Sequence, residues 1–337
     1  MTDAASRPWI TRASEWLADW RRIAGFVACG VLLALPPFVA GGFVLSLFTT
    51  GFYYTIMAAS WNLLAGFTGQ FSLAHHAFAA IGAYTSGLLI RYYAVPVWVG
   101  IASGVAVAAA LGFTLGRLVL AMRTIYLAIG TWAFAETIHI LLTAAYPITR
   151  GELGLAVPPL FNNLDPVAYY TLFASLAVLS VATMYLIVRS PLGHFMRAIR
   201  DDDLRAESLG VDTVRVKLVV FTVASAFAGL AGAFYGHYLV VLSPQMADFN
   251  EMAKLIIMVV LGGLGTFIGP LIGAAPVQML TTYLQKYGEW DMVIFALVVI
   301  ALMRTNKGGI AELIHAIKGR LTAAIPRGPT DGAKVSA

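Results

Sequence analysis

The chain has 337 residues, of which 59% are apolar and 12% are charged, with a formal net charge of +5. Soluble proteins carry about twice that share of charged residues, so the composition excludes a water-soluble domain and favours a helical membrane protein. Cys29 is the only cysteine, which excludes a disulfide or a thiolate metal cluster within one chain. Its basic residues sit where membrane topology would put them, and none forms a face interleaved with stacking aromatics, so we expect no nucleic-acid partner.

The first 22 residues mix basic and acidic side chains with Trp9, Trp16 and Trp20. This mixture is typical of a cytoplasmic segment lying at the membrane interface, with the indole rings at headgroup depth. A cleaved signal peptide is the rival interpretation. The long apolar run that follows, with its Pro36-Pro37 pair, argues against it.

Apolar runs long enough to cross a membrane fill most of the remaining chain. We predict spans at roughly 23–41, 43–65, 75–93, 97–121, 124–145, 168–188 and 214–241, a broken stretch at 252–285, and a last span at 288–304. The predicted fold is therefore an all-α, polytopic transmembrane bundle with about 8–10 crossings. Its parts are a first transmembrane half at 23–188, a polar segment at 189–213, a second half at 214–304 and a basic tail at 305–337.

The distribution of positive charge predicts the orientation of the spans. If residues 1–22 are cytoplasmic, six crossings return the chain to the cytoplasm at residue 189, where basic residues are expected. The weakly charged 146–167 connection then faces outward. The seventh span then leaves the chain outside, and the basic tail is expected inside. Since the last span crosses once, the 252–285 stretch must cross an even number of times. That stretch should therefore fold back at its glycine-rich centre.

Two glycine-rich interruptions stand in comparable places in the two halves, near 66–72 and near 262–269. Paired breaks in membrane helices point to a transport site, because the freed backbone groups must line a cavity or be buried in protein. Coincidence in a glycine-rich chain is the alternative. Glycine pairs four residues apart predict close contacts between helices. These pairs are Gly100/Gly104, Gly112/Gly116, Gly232/Gly236 and Gly269/Gly273.

Few ionisable residues fall within the predicted spans. Glu136 and His139 share a helix face at a spacing of three, but a carboxylate-bridged metal site needs a second such pair, which the sequence lacks. Glu136 is thus either a structural acid or part of a translocation path. His75, beside the first break, is expected to cap or bridge it. No nucleotide-binding loop occurs in the sequence.

The polar segment Arg189–Lys217 holds six basic and five acidic residues between long apolar runs. It is longer than most connections between helices, which favours a functional element over a loop that only sets topology. A short helix with alternating charge could seat in a groove on a soluble protein. Gly210 would end that helix in the left-handed conformation.

Several stretches, in order over about residues 43–303, resemble the LivM-type permeases of the branched-chain amino acid ABC importer family. The stretches are WNLLAGFTGQFSLAHHAFAAIGAY, SPLGHFMRAIRDDDLRAESLGVDTVRVK, FAGLAGAFYGH and VVLGGLGTFIGPLIGA. The resemblance implies a multi-pass protein of the bacterial inner membrane with both termini cytoplasmic. It further implies four kinds of partner: a LivH-like second permease, two ATPase subunits, an external solute-binding protein and the lipid bilayer. ATP and magnesium would bind the ATPase subunits, and this chain would bind no cofactor or metal.

The resemblance also implies site residues. Those that would couple to the ATPase are Arg197, Ala198, Arg200, Asp201, Asp202, Glu207, Leu209 and Gly210. Those beside the translocation path would be Gly66, Gly69, Gln70, Ser72, His75, Glu136, Gly262, Gly263 and Gly265. Two departures from the family pattern, His76 for a small residue and Arg150 for a glycine in the 146–167 connection, leave the carried solute open.

Three functions are compatible with these features. The first is the permease subunit of an ATP-driven importer for a branched-chain amino acid or similar small organic solute. The second is an ion-coupled secondary transporter or channel that needs no ATPase, which the paired breaks and Glu136 would suit. A membrane enzyme is third, and the missing catalytic constellation argues against it.

Overall fold

A computed structural model describes residues 36–39, 41–120, 122, 124–161, 165–267, 269–284 and 297. The predicted interfacial segment at 1–22, most of the first span, the basic tail and all but one residue of the last span lie outside this part of the chain. The predictions made for them, including the cytoplasmic termini, stay predictions.

Helices make up nearly all of the described structure, as the composition predicted. They are α1 (Pro36–Val39), α2 (Gly42–Ala65), α3 (His75–Tyr93), α4 (Val97–Val119), α5 (Thr124–Ala144), α6 (Tyr146–Thr149), α7 (Pro166–Arg189), α8 (Pro191–Asp201), α9 (Asp203–Ser208), α10 (Thr213–Leu239), α11 (Phe249–Gly262) and α12 (Gly269–Leu284). Two 3-10 turns, Gly151–Leu153 and Pro244–Ala247, and two short strands, β1 (Leu155–Ala156) and β2 (Val241–Leu242), complete them.

Five of the described helices are long and apolar enough to cross a membrane. They are α2, α4, α5, α7 and α10. By contrast, α11 has 14 residues. At a rise of about 1.5 Å per residue it reaches only about 21 Å, short of the roughly 30 Å hydrocarbon core. The described part of α12, Gly269–Leu284, follows it after the glycine-rich turn. The two helices pack against each other as a hairpin, which confirms the predicted fold-back.

The centre of the bundle is formed by α3, α4 and α10, which make the most extensive contacts among the described helices. These helices approach so closely because glycines face one another where they cross. A Cβ on Gly104 would lie 2.5 Å from the carbonyl oxygen of Gly82, and one on Gly232 would lie 2.6 Å from Ala79 Cα. The predicted glycine contact faces are therefore confirmed. On one side of this centre, α2 packs against α7, α10 and α12.

The 146–167 connection, predicted to face outward, meets the start of the connection after α10 at one end of the bundle. The strands β1 and β2 pair antiparallel, with Leu155 opposite Leu242. The Tyr92 hydroxyl, at the end of α3, donates a hydrogen bond to the carbonyl of Ile148 at 3.0 Å. The connections after α3, α5 and α10 thus lie together, as the crossing count requires.

Candidate functional site

The two glycine-rich breaks are in direct contact in the fold, although roughly 600 Å of extended chain would separate them. Asn62, in the last turn of α2, accepts a hydrogen bond through Oδ1 from the backbone N–H of Gly265 at 2.8 Å. Its Nδ2 donates to the carbonyl of Thr266 at 2.8 Å. A Cβ on Gly66 would lie 2.6 Å from the Gly265 nitrogen. One amide side chain therefore joins the predicted breaks.

The first break satisfies the carbonyls that the end of α2 leaves free. The backbone N–H groups of Thr68 and Gln70 both donate to Leu64, at 3.2 and 3.1 Å. Gly69 then turns the chain with φ of +74°, a conformation that favours glycine. The chain runs back along α2, and the Trp61 indole donates to the carbonyl of Ser72 at 2.7 Å. The segment is therefore an ordered re-entrant turn.

The second break, between α11 and α12, uses the same devices. Gly263 and Gly265 have φ of +114° and +74°. The Thr266 hydroxyl donates to the carbonyl of Gly263 at 2.7 Å and accepts from the N–H of Gly269 at 3.1 Å. Gly262 lies against Gly269, where a side chain would not fit. Two backbone groups of this turn, the Gly265 N–H and the Thr266 carbonyl, are hydrogen-bonded to Asn62.

His75 bridges the first break, as its position predicted. Its Nε2 lies 2.7 Å from the Ser60 hydroxyl, which links the start of α3 to the middle of α2. Gln70 is also buried, and neither of its amide atoms has a hydrogen-bond partner among the described residues. The first break therefore brings two polar side chains into the core, of which His75 has a partner only at Nε2 and Gln70 has none among the described residues.

The polar segment folds as two short helices, α8 and α9, that pack on the ends of α7 and α10. Met196, Ile199 and Ala206 are buried and hold the segment to the bundle. The opposite face is exposed and carries most of the predicted coupling residues. These are Arg197, Ala198, Arg200, Asp201, Glu207, Leu209 and Gly210, whereas Asp202 is half-buried. The most exposed large apolar side chains on this charged segment are Leu204 at 76% and Leu209 at 84%.

Arg200 connects this segment to both breaks. A Cβ on Gly69 would lie 3.6 Å from Arg200 Cα, so the turn of the first break rests on the backbone of α8. A Cβ on Gly265 would collide with the Arg200 guanidinium. Arg200 therefore fills the angle between the two glycine-rich turns. No other predicted coupling residue is positioned in this way by the described contacts.

Two neighbouring acidic residues of the polar segment, Asp202 and Asp203, have structural roles. Asp202 caps α9 by accepting from the N–H of Arg205 at 3.1 Å and pairs with the same residue's guanidinium at 2.9 Å. Asp203 pairs with Lys217 at 2.5 Å and ties α9 to α10. Gly210 has φ of +86° and ends α9 in the left-handed conformation, as predicted. The acids thus fix the shape of the segment.

Glu136 lies on α5, away from the breaks. It is half-buried, and within the described residues no hydrogen bond or ion pair joins it to another side chain. Its helix contacts mainly α3, α4 and the 3-10 turn Pro244–Ala247. Glu136 therefore does not belong to the cluster that the other predicted path residues form.

A polar cluster that sequence reasoning did not identify lies between α2, α3 and α11. The Tyr54 hydroxyl donates to Glu251 Oε2 at 2.5 Å, and Glu251 forms an ion pair with Lys254. The rings of Tyr54 and His76 lie 6.5 Å apart. The only sequence signal was the Glu-x-x-Lys spacing at the start of a predicted broken span. In the described part of the chain, no group of three His, Cys, Asp or Glu residues is placed to hold a metal.

Comparison with known proteins decides the family. The family described as "Branched-chain amino acid transport system / permease component" matches residues 43–303. The chain belongs to this family. It is accordingly a multi-pass membrane protein and a transmembrane permease of an ABC importer. The match confirms the family resemblance noted in the sequence, and its range includes both breaks and the polar segment.

Relatives of this permease family include proteins with different stated cargoes. The chain is 31% identical to the LivM permease of the high-affinity branched-chain amino acid transport system of Escherichia coli K12, over 85% of this chain and 74% of LivM. It is 26% identical to the LivH permease of Salmonella typhimurium LT2, over 76% and 90%. The autoinducer 2 import permease LsrC of Photorhabdus laumondii is 27% identical over 57% and 60%. No solved structure matches the chain.

Proposed function

We propose that this permease moves a branched-chain amino acid or a similar small organic solute, delivered by an external binding protein, at the expense of ATP hydrolysed by partner subunits. The observation that carries the proposal is the position of Arg200 against Gly69 and Gly265. Through it, a force applied to the exposed face of α8 and α9 would reach both breaks in the membrane helices. An importer driven by separate ATPases needs such a connection.

The cargo class follows from the relatives. LivM and LivH are named for branched-chain amino acids and LsrC for autoinducer 2, so the fold serves more than one small polar solute. His76 and Arg150 stand where the family pattern has small residues. We therefore propose the class of solute and not a single amino acid.

The 189–213 segment is the proposed docking surface for an ATPase. Its exposed leucines, Leu204 and Leu209, have no apolar neighbour to cover them within the described residues, and charged side chains surround them. Apolar side chains ringed by charge are typical of a surface that binds a soluble partner. Glu207 and Arg205 on the same short helix would set the orientation of that partner.

The remaining assignments follow from the family and from the missing nucleotide-binding loop. ATP and magnesium would bind two ATPase subunits, and this chain would be neither an enzyme nor a cofactor carrier. A LivH-like permease would complete the path. The assembly would lie in the bacterial inner membrane with the 189–213 segment and both termini in the cytoplasm.

Ion-coupled transport without an ATPase is the alternative that the paired breaks raised, and membership of this permease family opposes it. The two candidates differ in their need for ATP. Proteoliposomes containing this chain, the second permease and both ATPases should take up labelled leucine, isoleucine or valine only with ATP and binding protein. Uptake that a proton gradient drives without ATPase subunits would establish the second candidate instead.

Two substitutions in the coupling segment test the proposed route. Glu207→Arg reverses an exposed charge, and Gly210→Pro is incompatible with the observed φ of +86°. Both variants should reach the membrane yet abolish ATP-driven uptake. Normal uptake by both would contradict the proposal.

A further inference from the structure

A polar cluster of four side chains, Tyr54, His76, Glu251 and Lys254, is built where three helices meet. Glu251 accepts from the Tyr54 hydroxyl and pairs with Lys254 one turn further along α11. The ring of His76, on the first turn of α3, lies 6.5 Å from the ring of Tyr54. The cluster therefore presents a carboxylate, an ammonium group, a phenol and an imidazole to one small volume.

This cluster lies beside the middle of α2, a helix long enough to cross a membrane. Tyr54 is the thirteenth of the 24 residues of α2, so about 18 Å of helix separates it from either end. A helix of this length crosses the bilayer, and its midpoint is furthest from water. Charged side chains are costly at that depth unless they face a wet cavity or another polar surface.

The cluster opens onto the surface of the isolated chain. The side chains of Glu251 and Lys254 are 26% and 28% exposed, whereas His76 is 2% exposed. Lipid would be a poor neighbour for a partly exposed ion pair, so this face has to border water or the second permease. A polar surface of this kind is suited to line a passage between the two permeases.

His76 has unused hydrogen-bonding capacity. Neither of its ring nitrogens has a partner among the described residues, although the ring is buried. Buried polar atoms normally have partners, and an unpartnered group beside a passage is available to a passing ligand. This residue is also one of the positions at which the sequence departs from its family pattern.

We propose that Tyr54, His76, Glu251 and Lys254 form a transit site for the zwitterionic head of an α-amino acid. The ammonium of the solute would bind Glu251 and its carboxylate would bind Lys254, with the Tyr54 hydroxyl and a His76 nitrogen orienting the two groups. The inference rests on the proposed function and assigns its cargo to residues of this chain.

These contacts suit a site that the solute binds weakly on its way through the membrane. Binding a zwitterion exchanges one ion pair within the protein for two between protein and solute, so the net charge of the site stays zero. The gain from the new contacts is offset by the loss of the old pair and of solute hydration, which keeps binding weak. A solute has to leave such a site as easily as it enters. A solute with net charge would leave one site charge unpaired and is disfavoured.

The test compares single and double neutral variants in the complete reconstituted complex. Glu251→Gln and Lys254→Gln each leave one charge alone, and the double variant Glu251→Gln/Lys254→Gln leaves none. If the pair only stabilises the bundle, the double variant should recover uptake, because a neutral pair is tolerated where a lone buried charge is not. If the pair binds the solute, uptake of labelled leucine, isoleucine and valine should stay reduced by about tenfold or more, since two charged contacts are missing.

Two further measurements and a control variant distinguish loss of solute binding from loss of structure. Binding-protein-stimulated ATP hydrolysis and thermal unfolding in detergent should be near normal in the double variant, which shows that the complex is assembled. Glu152→Gln, an exposed carboxylate in the 3-10 turn Gly151–Leu153, should leave uptake unchanged. Restored uptake in the double variant overturns the transit site alone. Absence of ATP-driven amino acid uptake by the unmodified complex overturns the proposed function and, with it, the site.

Discussion

Asn62 binds the backbone of Gly265 across 203 residues of sequence, with its Oδ1 2.8 Å from the glycine nitrogen. The same side chain donates to Thr266, so the end of α2 and the turn between α11 and α12 are held as one unit. Arg200 packs against this unit from the polar segment. The two interruptions that look independent in the sequence therefore form a single structural element.

Removing the Asn62 side chain should loosen this element. Asn62→Ala leaves the Gly265 N–H and the Thr266 carbonyl without partners at a partly buried site. We expect a loss of about 1–3 kcal/mol in the free energy of unfolding, measured in detergent, together with reduced uptake. Ser103→Ala removes an exposed hydroxyl that bonds only to Val99 in its own helix and should change neither. Equal stability of the two variants would show that the bridge contributes nothing.

Arg200→Ala should uncouple ATP hydrolysis from transport. Alanine would keep the backbone of residue 200 against Gly69 but would lose the guanidinium that lies against Gly265. Coupling between two sites typically involves 1–3 kcal/mol, so uptake per ATP hydrolysed should fall by about fivefold or more. Arg200→Lys keeps the charge without the planar group. Its uptake per ATP hydrolysed should lie between those of the unmodified complex and of Arg200→Ala.

Arg215→Ala is the matched control for that measurement. Arg215 is an exposed arginine in the first turn of α10, and its only described ion-pair partner is Asp212. Its loss should leave uptake per ATP within error of the unmodified complex. A similar deficit in both variants would mean that charge on this face matters and contact with the breaks does not.

Leu209→Asp should release the ATPase subunits. Leu209 is the most exposed large apolar side chain of the polar segment, so a charge there costs the isolated chain little. At a docking surface, however, it places an unpaired carboxylate in the contact, and affinity should fall by about tenfold or more. Copurification of the ATPase with the tagged permease measures the loss. Leu153→Asp changes an equally exposed leucine at the opposite end and should not affect copurification.

The crossing count also makes a prediction about sides of the membrane. In a Cys29→Ala background, Ser208→Cys should react with an impermeant maleimide only in inverted vesicles. Leu153→Cys should react only in intact cells or spheroplasts. Both positions are exposed, so lack of access cannot explain a negative result. Labelling with the sides reversed would overturn the positive-inside assignment.

Helix positions were readable from the sequence because apolar length and helix-breaking residues are local signals. Predicted spans at 75–93 and 168–188 agree with α3 and α7 to within two residues. The fold-back between α11 and α12 followed from charge on the tail and the glycine run. The re-entrant turn after α2 was visible as a break, although its path back along the helix was not.

The site could be predicted only where a local pattern marked it. The Asn62 bridge and the contact between Tyr54 and Glu251 join residues about 200 positions apart, and single asparagine, tyrosine or glutamate residues carry no signal of such a partner. Conversely, Asp202 was predicted to couple to the ATPase, yet a helix cap and an ion pair with Arg205 already occupy its carboxylate. Glu136 drew attention because it is ionisable in an apolar span, and the structure places it apart from the breaks.

Substitution by alanine should have opposite effects on stability at Gly232 and at Gly51, because only Gly232 packs closely against another helix. Gly232 of α10 faces Ala79 of α3 so closely that a Cβ would lie 2.6 Å from the Ala79 Cα atom. Gly232→Ala must therefore push two central helices apart, and we expect a loss of about 1–3 kcal/mol or more. Gly51 is buried in the middle of α2 but has no atom within 4 Å of the position of its missing Cβ. Gly51→Ala should therefore be neutral or add about 0.5–1 kcal/mol, because alanine is the better helix former. Thermal unfolding of the two variants in the same detergent measures the difference, and loss of stability in both would mean that the glycines serve flexibility and not contact.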